Sequence, residues 1–112
     1  MMLPNYENAF IPPAKLYDYL LSEAHSAGKG KAKFFREFGF DETNTDSLMR
    51  GLVAIVHSEE IIATAVTVHG VKYVIDGSLL TPVGDTVYVR TVWIIEIGEV
   101  APRFVTAYPH SL

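Results

Sequence analysis

The chain has 112 residues, 49% of them hydrophobic, and contains no cysteine. This length suits one compact domain over residues 1–112, and the hydrophobic content argues against a disordered chain. The lack of cysteine excludes disulfides, thiolate metal sites and cysteine nucleophiles, and it favours a reducing, cytoplasmic compartment. The formal net charge of −4 disfavours nucleic-acid binding through the whole surface, but it allows a local basic groove.

No segment has the features of a membrane span or a signal peptide. No apolar run reaches the roughly 18 residues that a membrane helix needs. The N-terminal MMLPNYENAF has no basic segment followed by an apolar one. We therefore expect no membrane partner.

Two helices are predicted before residue 40. Pro12 and Pro13 suit a helix start, and AKLYDYLLSEA (residues 14–24) continues that helix. A loop at residues 25–30 ends it, and KAKFFREFG (residues 31–39) forms the second helix, with Gly39 as its stop. The predicted inward positions are Leu16, Tyr19, Leu20, Phe34, Phe35 and Phe38, with Tyr17 as a further candidate.

A third helix is predicted to begin at Thr45 or Asp46, since both residue types favour helix starts. It runs through LMRGLVAIVHS. Gly51 lowers its helix propensity by about 1 kcal/mol relative to alanine. The predicted inward positions are Leu48, Leu52, Ile55 and Val56.

After Glu60 the pattern changes to β-rich alternation. Strands are predicted at IIATAVTVHG, VKYVIDGSLL, VYVRTVWIIEI and RFVTAY, with a hairpin turn at Gly84 and Asp85. The third strand is apolar in both registers, which favours a central position. The predicted fold class is α+β, with about three N-terminal helices packed on a four-stranded antiparallel sheet.

The segment HSAGKGKAKFF (residues 25–35) has the ingredients of an anion site. Gly28 and Gly30 allow backbone N–H groups to approach a ligand, and the start of the next helix adds partial positive charge. His25 can exchange protons near neutral pH. The phosphate-loop pattern is absent, and an ordinary solvated loop is the favoured explanation of the lysines, since lysines are usually exposed. The basic residues are Lys29, Lys31, Lys33 and Arg36.

The four histidines do not show the spacing of a zinc site, so neither a metal nor a cofactor is predicted. His57 falls near the end of the third helix, where a cation is mildly favourable. His69 falls at a strand turn, and His110 is expected to be frayed near the C-terminus.

The last strand carries a second polar set. A period of two places Thr106 and Tyr108 on one face with Phe104, while Arg103 points away unless a bulge intervenes. The alternative is that threonine and tyrosine are present only because they favour strands.

Several segments together resemble DUF6883, a small bacterial domain family of unknown function. They are LPN near the start, AKLYDYLLSEAHSAGKGKAKFFREFGF, GVKYVIDGSL, TPVGDT and VRTVWIIEIGEVAPRFVTAYP. The resemblance covers roughly Leu3 to Pro109, and its landmarks include His25, Lys31, Lys72, Thr91, Arg103, Thr106 and Tyr108.

Helices followed by a four-stranded antiparallel sheet also look like the small ribonuclease superfamily of barnase, EndoU, the colicin E5 and D toxin domains and RelE. Its members cleave RNA without a metal. The likeness implies that His25 is a general acid or base, that Lys31 stabilises the reacting phosphate, and that Thr106 or Tyr108 orients it. Implied contacts to the substrate are Gly28, Lys33, Lys72, Thr91 and Arg103.

These observations predict a metal-independent ribonuclease of toxin type, which binds RNA through a local basic cleft. Two alternatives stay open. One is a non-catalytic binding module, such as an immunity or antitoxin partner of a cognate protein, and the other is a structural domain that forms a homodimer through its sheet edge. Only one histidine lies in the basic segment, so the second proton carrier of a ribonuclease is not identified by the sequence.

Overall fold

The computed structural model describes residues 1–24 and 29–110, and for Lys29 the backbone alone. A 3₁₀ turn, Tyr6–Asn8, precedes helix α1, Pro13–Lys15, which continues into a π-helical turn, Leu16–Leu20. Helix α2 is Lys29–Glu37 and helix α3 is Thr45–Ser58. Four strands follow: β1 (Ala63–Thr67), β2 (Gly70–Leu80), β3 (Thr86–Glu96) and β4 (Arg103–Pro109). The predicted α+β class is confirmed.

The sheet is an antiparallel meander with the strand order β1-β2-β3-β4. β3 pairs with both β2 and β4, so the central position predicted from its apolar sequence is confirmed. The β2–β3 connection turns at Gly84, which has a φ of 93° and therefore suits glycine. β1 and β4 are the two edges of the sheet.

The core lies between one face of the sheet and the helices. Trp93 and Phe104 are fully buried on neighbouring strands, with ring centroids 5.3 Å apart in an edge-to-face arrangement. Helix α3 packs on β2 so closely that a Cβ at Gly51 would overlap Leu79 Cδ1. The lower helix propensity of Gly51 is thus offset by close helix–sheet packing. The predicted inward residues of α3 are all buried: Leu48, Leu52, Ile55 and Val56.

The first helical stretch is shorter than predicted. It ends with a turn in which the Leu21 N–H donates to the Leu16 carbonyl at 2.9 Å, an i to i+5 bond. This wider turn brings Leu21 back over Leu16, and both are buried together with Leu20. Leu16 and Leu20 have ordinary helical spacing, so the periodicity predicted a longer helix, and the extra buried position at Leu21 comes from the wider turn.

Helix α2 begins at Lys29, two residues before the predicted start, and ends before Gly39, whose φ is 93°. Arg36 on this helix donates from Nε (3.1 Å) and Nη2 (2.6 Å) to the Leu21 carbonyl. It also forms ion pairs with Glu23 and Glu42. Arg36 therefore ties α2 to the end of the first helical stretch, and its charge is already balanced within the fold.

Candidate active site

A tyrosine, a threonine and two lysines meet where the first helical stretch, α2 and β4 come together. The hydroxyls of Tyr19 and Thr106 are hydrogen-bonded at 2.9 Å. Two ammonium groups flank the Tyr19 ring: Lys15 Nζ lies 4.9 Å and Lys31 Nζ 5.5 Å from its centroid. We call these four residues the Tyr19 cluster.

The Tyr19 cluster changes the acidity of its own phenol. Partial burial raises the pKa of Tyr19, but hydrogen bonds with Thr106 and Lys31 and the charges of Lys31 and Lys15 outweigh it. The pKa of Tyr19 is therefore lower than that of an ordinary tyrosine, because each of these neighbours favours the phenolate. A shifted pKa with specific causes marks Tyr19 as a candidate for proton transfer.

The positions of these residues follow from local structure. Lys15 and Tyr19 are four residues apart, which places them on one side of a helical stretch. Lys31 belongs to the first turns of α2, whose neighbours Phe34 and Phe35 pack into the core and hold the helix in place. Thr106 lies on β4, an edge strand that the first helical stretch can reach with a side chain.

A bulge in β4 decides which of its side chains share a face. The β3–β4 register shifts between Val92 and Trp93, which leaves Val105 without a partner. Opposite residues of paired strands lie on the same face, and the relevant pairs are Arg103 with Ile94, Thr106 with Val92, and Tyr108 with Arg90. Arg103, Thr106 and Tyr108 therefore share one face. The prediction that Phe104 joins them is wrong, because the bulge turns Phe104 to the buried face beside Trp93.

Two of the four predicted catalytic residues, Lys31 and Thr106, are linked through Tyr19. Tyr108 lies on the same face of β4 as Thr106 and opposite Arg90. His25 lies outside the described residues, as does Gly28 among the predicted substrate contacts.

Three of the other predicted substrate contacts lie on α2, β2 and β4, and Lys72 and Arg103 share the sheet face of Thr106 because both lie opposite Ile94. Lys33 is exposed on α2, and its spacing of two residues from Lys31 directs it to a different side of the helix. Lys72 lies on β2 opposite Ile94. Arg103 is bound to Glu96, with Nε 2.7 Å and Nη2 2.6 Å from Oε1.

Thr91 has a structural position that argues against a substrate contact. It is fully buried, its hydroxyl donates to the Ile75 carbonyl at 2.6 Å, and it accepts from Trp93 Nε1 at 2.9 Å. Both capacities of the hydroxyl are thus used inside the core. A ligand cannot reach Thr91 without opening the sheet. The role of Thr91 in the fold is to accept the hydrogen bond of the buried Trp93 Nε1–H.

A second polar group, the Asp76 cluster, consists of Asp76, Arg90 and His110. Arg90 donates to both Asp76 oxygens, from Nε at 2.9 Å and from Nη2 at 3.0 Å. His110 Nε2 lies 3.1 Å from Arg90 Nη2 and 3.5 Å from Asp76 Oδ2. The backbone N–H of His110 also donates to the Tyr88 carbonyl at 3.1 Å. His110 is therefore not frayed, contrary to prediction.

Sequence reasoning missed Tyr19 and Lys15 as site residues because it treated Tyr19 as a core position. The four-residue spacing of a lysine and a tyrosine was a usable signal.

Among the described residues there is no group of three or more histidine, aspartate or glutamate side chains that could hold a metal ion. No helix within the described ranges is long and apolar enough to cross a membrane.

The family model described as "Domain of unknown function (DUF6883)" matches residues 2–111. The fold is similar to that of a chain in the contact-dependent growth inhibition toxin–immunity protein complex from Klebsiella pneumoniae 342. The two chains are 16% identical, the match covers 96% of this chain and 97% of that chain, and the TM-score is 0.76. At this identity the likeness shows the fold alone. No curated protein matches the sequence.

Proposed function

We propose that this chain, which belongs to the DUF6883 family, is a metal-independent RNA-cleaving domain of toxin type. The observation that carries the proposal is the Tyr19 cluster, where a phenol of lowered pKa, a hydroxyl and two ammonium groups meet at the surface edge of the sheet. Such a set can move a proton and stabilise a phosphate without a metal.

The proposed reaction is attack of a ribose 2′-hydroxyl on the adjacent phosphate. The 2′-oxygen loses its proton to a general base and forms a bond to phosphorus. The bond from phosphorus to the 5′-oxygen breaks, and that oxygen takes a proton from a general acid. The products are a 2′,3′-cyclic phosphate and a 5′-hydroxyl, so no protein nucleophile is needed.

Each member of the cluster has a place in this reaction. Tyr19 exchanges one of the two protons, which supplies the second proton carrier that the basic segment lacks. Lys31 and Lys15 stabilise the negative charge that builds on the phosphate oxygens. Thr106 fixes the Tyr19 hydroxyl through their hydrogen bond. His25 remains the predicted partner for the other proton, with Tyr108 as a further orienting group.

The toxin type is supported by the likeness in fold to a chain of a toxin–immunity protein complex. A toxin–immunity protein complex also contains an immunity protein. The net charge of −4 suits a non-catalytic module of that kind, because an acidic surface can occlude a basic toxin. An immunity role is therefore the second candidate. It predicts no cleavage and protection of cells against a cognate toxin.

The test is incubation of the purified protein with transfer RNA and total RNA in the presence of EDTA. We expect cleavage with 2′,3′-cyclic phosphate ends, and strong loss of activity in Tyr19→Phe and His25→Ala. Tyr17→Phe is the matched control, since it removes a hydroxyl bonded to Thr45 Oγ1 at 3.1 Å outside the cluster. Intact RNA with the unaltered protein rejects the ribonuclease proposal and favours the immunity role.

A further inference from the structure

Three chain segments are joined at one end of the sheet. The Ile97 N–H donates to the His69 carbonyl at 3.1 Å, which connects the β3–β4 connection to the β1–β2 turn. Asn5 Nδ2 donates to the Val100 carbonyl at 3.0 Å, and the Phe10 N–H donates to the Pro102 carbonyl at 3.0 Å. We call this surface, formed by residues 5–10, 68–69 and 97–102, the turn end.

The turn end exposes large apolar side chains. Val68 is 84% exposed, Ile97 75%, Val100 69% and Phe10 45%. A single exposed valine needs no explanation, but four large apolar residues on three segments that are bonded to one another are a concentration of apolar surface. Such concentrations mark interaction sites in folded proteins.

A cavity of about 260 Å³ opens at the turn end. Its apolar lining consists of Phe10, Ile94 and Ala101, and its acidic lining consists of Glu96 and Glu99. Arg103 also lines it and is bound to Glu96, which leaves Glu99 as the carboxylate for an incoming cation. This volume is below the roughly 300–1,000 Å³ of typical small-molecule sites, so it suits one inserted side chain. The cavity combines an apolar stem-binding surface with carboxylates, which is the complement of a long basic side chain.

The carboxylates of the turn end are only partly balanced. Glu96 is bound to Arg103. Within residues 1–24 and 29–110, Glu99 is exposed and its carboxylate forms no ion pair. Glu7 adds a further exposed carboxylate on the N-terminal segment.

We propose that the turn end is a docking surface for a partner protein that presents an apolar patch and inserts an arginine or lysine side chain into the cavity. The stem of the inserted residue packs against Phe10 and Ile94, and its charged head pairs with Glu99. Apolar contact and charge complementarity together give such a surface affinity and orientation. The proposal stands whether or not the chain cleaves RNA, since no residue of the Tyr19 cluster belongs to the turn end.

A second copy of this chain fits the surface less well. A two-fold dimer brings the same patch against itself, which places the exposed carboxylates of Glu7 and Glu99 against like charges. Arg103, the basic residue that lines the cavity, is already bound to Glu96. The partner is therefore a different protein with basic character at its centre of contact.

The test is selection from a library of short random peptides on the immobilised protein. We expect enrichment of peptides that carry an arginine or lysine between apolar residues. Glu99→Lys should abolish their binding, whereas Asp85→Lys, the same charge change at the exposed β2–β3 turn, should leave it intact. Val100→Asp should also abolish it, and Leu80→Asp, at another exposed apolar residue, should not.

Three results of the peptide selection overturn the proposal. They are enrichment without basic residues, equal binding by Glu99→Lys and the unaltered protein, and no enrichment at all. A concentration-dependent dimer in sedimentation that Val100→Asp dissolves also overturns it, in favour of a second copy. Thermal unfolding of each variant shows whether a loss of binding reflects the surface or a loss of folded protein. The RNA-cleavage assay of Glu99→Lys separates this proposal from the proposed function, because cleavage should be unchanged.

Discussion

The Tyr19 cluster and the Asp76 cluster each bring together polar side chains of several elements, but they differ in the charged groups that they contain. In the Asp76 cluster, a carboxylate accepts two hydrogen bonds from Arg90, and the Asp76 side chain is only 8% exposed. In the Tyr19 cluster, two ammonium groups flank a phenol that is hydrogen-bonded to a threonine hydroxyl.

This difference in charged groups indicates that the Asp76 cluster stabilises the fold and that the Tyr19 cluster is the candidate for catalysis. A bidentate arginine–carboxylate pair satisfies both partners and raises the pKa of Arg90, mainly through the hydrogen bond to Asp76. The Asp76 oxygens and the Arg90 donors that form this pair are therefore not available to bind a substrate. A cation-rich cluster is complementary to an added anion instead, and it lowers the pKa of Tyr19. The Asp76 cluster is therefore the structural group of the two, and the Tyr19 cluster holds the groups that the proposed reaction needs.

The largest expected effect is on catalysis. Lys31→Met should lower RNA cleavage by about 100-fold, or ~2.7 kcal/mol, because removal of one preorganised charge-stabilising group has that typical cost. The measurement is the cleavage rate at saturating RNA. Arg50→Met, at an exposed cation on α3, is the control and should cleave normally. Equal rates for the two variants would remove Lys31 from the mechanism.

The Asp76 cluster should show the opposite pattern. Asp76→Asn should lower the free energy of unfolding by about 2 kcal/mol, since Arg90 loses a charged, mostly buried partner. Cleavage per folded molecule should fall far less than in Lys31→Met, because among the described residues the Asp76 cluster contacts a proposed site residue only through the hydrogen bond of Arg90 to Tyr108. Urea unfolding gives the first quantity, with exposed Asp85→Asn as control. A selective loss of cleavage in folded Asp76→Asn would contradict the division between the two clusters.

Substitution of Thr91 tests the same distinction between structural and catalytic polar groups inside the core. Thr91→Val should lower the free energy of unfolding by about 1.5 kcal/mol, because the buried Trp93 Nε1–H loses its acceptor. Thr86→Val, at an exposed position of the same strand, should have little effect. The fluorescence of the sole tryptophan follows the unfolding of both variants. If Thr91→Val is as stable as the unaltered protein but binds RNA more weakly, Thr91 contacts substrate after all.

The smallest effect concerns the titration of Tyr19. NMR signals of the tyrosine ring carbons should show Tyr19 ionising at lower pH than an ordinary tyrosine, and Lys31→Met should move that titration upward. A tyrosine with a depressed pKa in the folded state stabilises the protein above its unfolded pKa, and this contribution is lost as pH falls through the folded pKa. Tyr19→Phe should therefore lose this ionisation-linked stability only at alkaline pH. An unshifted Tyr19 titration would reduce the cluster to a packing contact.

The sequence predicted the elements whose patterns are local. Helix α3 has a buried stripe at helical spacing, and β3 is apolar on both faces, so both were found close to their observed bounds. The link between Tyr19 and Thr106 joins residues 87 positions apart, and no local pattern reports such a contact. The burial of Thr91 could not be predicted either, because a threonine in a strand looks the same in sequence whether its hydroxyl faces solvent or a buried tryptophan.

The bulge at Val105 has a consequence for how relatives of this chain are compared. One extra residue separates the part of β4 that packs Phe104 into the core from the part that presents Thr106 and Tyr108. A relative without that residue would keep the same alternating pattern but exchange the faces of everything after it. A deletion of Val105 should therefore be tolerated far less than any substitution there, which thermal unfolding of the two kinds of variant would show.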